Sequence, residues 1–309
     1  MRAGGHRARV IYGSPAEPAA HSAAVSSAAV YSAAVRLREI GSSHGMRHLA
    51  ATLADGREAF VKQAVGGSRA GELAAEANGL RWLAEGGPVP VPAVLSVDED
   101  TLVIEMLPPG APTAAAAREL GAGLARLHAA GAPAFGAPWP GYIAGLPLPN
   151  DSGTAWPGWY AEHRILPYAR MARDRGGLSA ADVSLVETVA DRVAELAGPP
   201  EPPARLHGDL WSGNILWCTV GKTATAWLID PAAHGGHRET DLALLALFGA
   251  PFRAEIAAAY QSVTPLAEGW RERVPLHQLH PLLVHACLYG AAYAPRVREA
   301  ARAALDGGS

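Results

Sequence analysis

The chain changes character once, at Pro108-Pro109-Gly110, and that break calls for a two-part fold. Before it the sequence is written in short strand pairs. HLAATLADGREAFVKQA (48–64) reads as strand, turn, strand, with Asp55-Gly56 as the hairpin signal. VLSVDEDTLVIEML (94–107) repeats the pattern. Between the two pairs a helix is expected over about 68–85. There Leu73, Glu76, Leu80 and Leu83 share one stripe at 100° per residue. PVPVP (88–92) forces an extended exit from it. After the break the pattern is helical, at 113–130, 158–174 and 179–197, with a long Trp/Gly/Pro loop over 134–158. A Pro-rich linker then leads to Leu206-His207-Gly208-Asp209 and a hairpin over 214–230. Helices near 240–249, 251–262 and 275–305 close the chain. The expected class is α+β, with a β-rich part at 23–108 and a mostly helical part at 109–309. Residues 1–22 read as a loose tail, a leader or a mis-assigned start, and Ala/Ser-rich 23–36 as a short helix.

Composition removes several functions. The chain has 309 residues, 49% of them hydrophobic and 18% charged, enough for a sizeable core. Net charge is −3 with no basic block, which argues against a sequence-independent grip on nucleic acid. No apolar run reaches the roughly 18 residues of a membrane span. Cys218 and Cys287 are far apart, as expected in a reducing, cytoplasmic compartment. Only Lys62 and Lys222 are lysines among 26 basic residues. An ammonium in so Arg-rich a chain marks a place where a compact charge is wanted.

The sharpest chemical signal is HGDLWSGN, His207 to Asn214, followed by Asp230 at the end of the next hairpin. Asp209 and Asn214 have the D-x-x-x-x-N spacing of a kinase catalytic loop. The Asp must reach an attacking hydroxyl, while the Asn must reach a metal on the nucleotide phosphates, with Asp230 as second ligand. Oxygen donors of this kind suit Mg²⁺. A strand Lys and a helix Glu form the second constellation. Lys62 would meet the phosphates and Glu76 would hold it, because a carboxylate inside an apolar stripe needs a partner. Glu72, one turn earlier on the same face, is the rival. The turn Gly41-Ser42-Ser43-His44-Gly45 could bring backbone N–H groups to phosphates. Trp211 lies two residues past Asp209 and offers a flat wall to a sugar. The acceptor is therefore expected between Trp211 and the long loop carrying Tyr142 and Asn150. Gly221-Lys222-Thr223 lacks the Gly of a Walker A loop at 216 and reads as a hairpin turn. The histidines lack metal-ligand spacing, and His128 is expected to satisfy a core hydrogen bond.

LHGDLWSGNILW (206–217) and LIDPAAHGGHRETDLALLALFG (228–249) resemble the fructosamine-3-kinase (ketosamine-3-kinase) family. That family lies in the aminoglycoside-phosphotransferase branch of the protein-kinase-like fold. FVKQA (60–64), GYIAGLPLPN (141–150) and HPLLVHACLYGAAY (280–293) extend the likeness across about 24–303. The resemblance implies a bilobal kinase using ATP and Mg²⁺. Asp209 would be the catalytic aspartate and Asn214 and Asp230 the metal ligands. Lys62 and Glu76 would be the phosphate anchor, with Gly41, Ser42 and Ser43 in the phosphate loop. Glu105-Met106-Leu107 would be the hinge that meets adenine, and Asp241, with His207, would support the catalytic loop. The implied reaction is phosphorylation of the sugar 3-hydroxyl of a ketosamine, free or on a protein lysine, in a deglycation role. A monomer is expected. IGSSHGM (40–46) lacks the Cys that some relatives carry in this loop, so redox control there is not implied. An aminoglycoside or other small-alcohol phosphotransferase is the first alternative. A nucleotide-binding module without turnover is the second, and a Ser/Thr protein kinase, lacking D-F-G and A-P-E elements, the third.

Overall fold

The computed structural model describes residues 34–307, except His44 and Ser68. The expected tail (1–22) and residues 23–33 of the expected short helix lie outside the described residues. Residues 34–36 are not helical. They open strand β1 (Ala34–Ser43), which pairs antiparallel with β2 (Met46–Leu53) from Ala34↔Leu53 to Ser43↔Met46. Cross-strand pairing here overrides the helix preference of alanine. Gly41, Ser42 and Ser43, expected in a turn, end a strand instead.

β3 (Glu58–Ala64), β4 (Val94–Val97) and β5 (Thr101–Glu105) complete a sheet of order β1-β2-β3-β5-β4, antiparallel throughout. Helix α1 (Ala70–Gly86) covers one face, where Leu73, Ala77 and Leu80 pack on Phe60, Leu102 and Ile104. Leu49, Ala59, Val61 and Val103 cluster on the other. Side chains alternate along a strand, so Lys62 emerges with Phe60 beneath α1.

The remainder is mostly helical. α2 (Ala114–Ala129) starts at Thr113, whose side chain accepts from the Ala116 N–H. The long loop is better ordered than expected. It contains the hairpin β6 (Gly141–Ile143) and β7 (Leu146–Leu148), turned at Ala144-Gly145, both with positive φ. The helix expected over 158–174 is three pieces: α3 (Trp156–Tyr160), a π turn (Ala161–Ile165) and α4 (Leu166–Asp174). Pro167 lacks the N–H that a continuous helix would need. Next come α5 (Ala180–Asp191), with a Ser179–Asp182 capping box, and α6 (Val193–Leu196). β8 (Ala204–Leu206) pairs with β11 (His234–Gly236), while β9 (Ile215–Val220) and β10 (Thr223–Leu228) make the hairpin before Asp230. α7 (Glu239–Phe248), α8 (Arg253–Val263), α9 (Trp270–Tyr289) and α10 (Ala294–Asp306) follow. The single helix expected over 275–305 breaks at Gly290, whose φ is 73°. Tyr160, Ile165, Tyr168, Val186, Leu279, Leu283 and Val297 lie in the largest core cluster.

Candidate active site

The short β8–β11 ladder delivers His207, Gly208 and Asp209 to the end of the hairpin that carries Asp230. Gly208 has φ 82°, and a Cβ there would strike the Ala232 carbonyl, so only glycine fits. The buried His207 ring donates from Nε2 to the Ile229 carbonyl (2.9 Å) and accepts at Nδ1 from the Asp209 N–H (3.3 Å). Asp241, in the first turn of α7, is fully buried. It accepts from the N–H groups of His207 (2.8 Å) and Gly208 (2.9 Å) and from His128 Nε2 (3.2 Å). His128 in turn meets the Tyr260 hydroxyl at 2.9 Å. The loop thus rests on a carboxylate, and the carboxylate on an imidazole.

Asn214 closes the loop. Its Nδ2 donates to the Asp209 carbonyl (2.9 Å), to Asp209 Oδ2 (3.0 Å) and, weakly, to the Asp230 carbonyl (3.4 Å). Lys62 Nζ donates to both Glu76 oxygens at 2.8 Å and to Asp230 Oδ1 at 2.7 Å. Glu72, the rival, pairs with Arg69 at 3.1 Å. Asp230 itself has φ 55°, a left-handed conformation that aspartate tolerates better than most residues.

Burial and charge set the protonation of the site. Burial pushes Asp209 up to about 7, opposed by the Asn214 hydrogen bond and reinforced by the Asp230 and Asp241 charges. Burial likewise takes Glu76 up to about 7 against the pull of Lys62. For Lys62, burial favours the neutral amine, but Asp230 and Glu76 outweigh it and hold the ammonium charged. For Asp230, burial is outweighed by Lys62, so the carboxyl lies below its ordinary value. Asn214 turns its amide nitrogen toward Asp209, which leaves its oxygen for a cation. With an Asp230 oxygen it makes a hard donor pair that fits Mg²⁺.

Glu105 ends β5, and the Met106 N–H donates to the Glu58 carbonyl at 3.3 Å. Leu107 is buried with Leu216, Cys218 and Ile229, an apolar floor under the crossing between the two lobes. Trp211 is half-buried. Its ring lies over Gly213 and edge-on to Phe248, with centroids 6.3 Å apart. Phe248 meets His285 at 4.9 Å, and His285 meets Tyr293 at 4.9 Å. This aromatic wall was not read from the sequence, although His285 and Tyr293 sit in the late HPLLVHACLYGAAY block. Tyr142 and Asn150 have other partners. Tyr142 packs against Gly71 of α1. Asn150 is buried, accepting from Arg164 Nη2 at 2.8 Å and donating to the Trp139 carbonyl at 3.5 Å.

Several buried histidines lie behind the loop. His237, Glu239 and His277 converge, with both Glu239 oxygens held by Arg273 at 2.6 and 3.0 Å. The Glu239 N–H donates to His237 Nδ1 at 3.3 Å, so the cluster is organised around the buried Glu239–Arg273 ion pair. Burial drives His234 and His237 down to about 3, helped at His234 by the Arg164 charge and at His237 by His277. Unfolded imidazoles protonate near 6.5, so acid favours the unfolded chain, by up to about 2 kcal/mol per histidine at pH 5. Asp209 and Glu76, pushed up to about 7, act in the opposite direction over the same window. Nitrogen-15 spectra of the imidazoles should find His234 and His237 still neutral at pH 5. Titration of either near pH 6 would contradict their placement.

A β-rich lobe and a helical lobe meeting at Asp209, Asn214, Asp230, Lys62 and Glu76 define a protein-kinase-like phosphotransferase. The solved structures of macrolide 2′-phosphotransferase type I (TM-score 0.57, 16% identity) and of aminoglycoside phosphotransferase APH(4)-Ia (0.58, 16%) share this fold. They cover 86% and 89% of the chain, matching 91% and 94% of their own lengths. Residues 21–306 match the fructosamine kinase family, and the chain belongs to it. It is 37% identical over 238 residues to a probable ketoamine kinase of Klebsiella aerogenes, covering 75% of this chain and 80% of that one. A Thermobifida fusca crystal structure, provisionally named fructosamine-3-kinase, is 51% identical. Its TM-score is 0.86, and the match covers 90% of this chain and 98% of that one.

Proposed function

We propose that the protein transfers the γ-phosphoryl group of ATP to the sugar 3-hydroxyl of a ketosamine, an early step of deglycation in the cytoplasm. The observation that carries this reading is the single network joining Asp209, Asn214, Asp230, Lys62 and Glu76. Asp209 accepts the proton of the attacking hydroxyl, and its raised affinity for protons suits that task. Asn214 and Asp230 hold Mg²⁺, which neutralises phosphate charge when bound. Lys62, kept in place by Glu76, takes the phosphates beneath the β1–β2 hairpin that ends at Gly41, Ser42 and Ser43. The backbone of Glu105-Met106-Leu107 meets adenine above the floor made by Leu107 and Ile229. The segment 23–108 thus serves the nucleotide and 109–309 the acceptor, which is a small ketosamine or a glycated protein lysine. Trp211, Phe248 and His285 offer the flat, partly apolar face that the carbon side of a sugar prefers.

An ATP-consumption assay over fructosyl- and ribulosyl-amines, aminoglycosides and simple sugars tests the reading, with the phosphate position read by NMR. Turnover restricted to ketosamines is expected, and turnover of aminoglycosides instead would overturn it. Within the same assay Trp211→Ala should raise KM for the ketosamine about tenfold and leave KM for ATP within twofold. Equal effects on both substrates would place Trp211 in the scaffold rather than at the acceptor.

A further inference from the structure

Helix α1 carries Glu76, and it rests on the helical lobe at three glycines. Gly71, Gly79 and Gly86 fall within about 80° of one another on a helix of 3.6 residues per turn. A Cβ on Gly71 would lie 2.5 Å from the Tyr142 hydroxyl. One on Gly79 would lie 3.1 Å from the Ala233 Cβ and 3.2 Å from Pro231, in the segment that directly follows Asp230. One on Gly86 would collide with the Arg205 side chain. Arg205 belongs to β8, four residues before Asp209. Its Nη1 donates to the Trp82 carbonyl at 2.5 Å, its Nε to the Gly131 carbonyl at 3.3 Å, and its guanidinium lies 4.5 Å over the Trp82 ring. Trp139 closes the stack edge-on, 5.8 Å from Trp82.

We infer that Arg205 is a positioning residue for the phosphate anchor: it clamps the C-terminal end of α1 to the strand that leads into the catalytic loop. The clamp fixes the axial position and rotation of α1, and so the reach of Glu76 toward Lys62, without touching nucleotide or acceptor. The planar guanidinium both stacks and forks, so lysine cannot replace it. Tyr142 holds the other end of the helix. The lobes are thereby keyed together through α1, and the Lys62–Glu76 pair is assembled before nucleotide arrives.

The inference rests on the kinase reading, and a double-mutant cycle separates the two. ATP affinity is measured by calorimetry, and turnover by ATP consumption, for the parent chain, Arg205→Met, Glu76→Gln and the double variant. Arg205→Met should weaken ATP binding about tenfold and leave the acceptor KM within twofold. In the Glu76→Gln background the same substitution should change ATP binding less than twofold, because the group it positions is already gone. The indole N–H resonance of Trp82, assigned with Trp82→Phe, should shift in Arg205→Met and not in Glu76→Gln. Gly86→Ala, which displaces Arg205 from the opposite side, should reproduce the Arg205→Met phenotype if that variant folds poorly. An equal loss in both backgrounds, or a loss of stability with ATP affinity intact, overturns the inference. A parent chain that neither binds nor consumes ATP overturns the kinase reading instead.

Discussion

Asp209→Asn should bind ATP nearly as the parent does and turn over about 10²–10⁴-fold more slowly, the usual worth of a positioned base. An asparagine is nearly the same shape, and its oxygen can still accept from Asn214 Nδ2, which now bonds Asp209 Oδ2 at 3.0 Å. The loop geometry therefore survives while the capacity to take a proton is lost. Rapid-quench kinetics with a ketosamine acceptor would report the chemical step directly. Near-normal turnover in this variant would remove Asp209 from the reaction.

The second large effect is structural. Asp241→Ala leaves two backbone N–H groups and the His128 imidazole without their acceptor in a site closed to solvent. Each orphaned buried donor costs about 1–3 kcal/mol, and losing a buried charge from a polar network about 3–5 kcal/mol. A loss of about 3–5 kcal/mol is expected in urea denaturation, a large share of the total stability of an ordinary domain. His128→Phe should lose less, because Asp241 keeps both backbone partners. If Asp241→Ala unfolded at the parent's urea midpoint, the carboxylate would not be the support it is here taken to be.

Much of the fold was legible because it rests on local signals. Asp55-Gly56 marked a hairpin, the Leu73–Leu83 stripe marked α1, and Pro108-Pro109-Gly110 marked the crossing between lobes. The three-residue strands β6, β7, β8 and β11 were not read, since periodicity cannot show in so few residues. The sequence therefore shows Tyr142 and Asn150 only as members of a long loop, whereas one packs on Gly71 and the other holds Arg164. Helix interruptions at the π turn and at Gly290 were lost for a related reason: an apolar stripe runs through a break without a mark. Glu76 and Glu72 share a helix face one turn apart, so only the three-dimensional path of Arg69 and Lys62 separates them. The contacts of Trp211 with Phe248, and of Phe248 with His285, join segments 37 residues apart and span two helices, which no local pattern encodes.

The aromatic wall beside Trp211 comes from the ends of α7 and α9, whereas Asp209 and its supports come from β8, the catalytic loop and the buried start of α7. On the proposed reading Trp211 is shared with the loop of Asp209, while the outer residues of the acceptor wall, Phe248 and His285, come from helix ends. Glycine at 208 and aspartate at 241 leave almost no room for variation, while Phe248, Tyr289 and Tyr293 border solvent or one another. If the wall takes the acceptor as proposed, exchanging side chains along these two helix ends would change the sugar or amine that is recognised, and an engineer seeking a new acceptor would randomise those positions first.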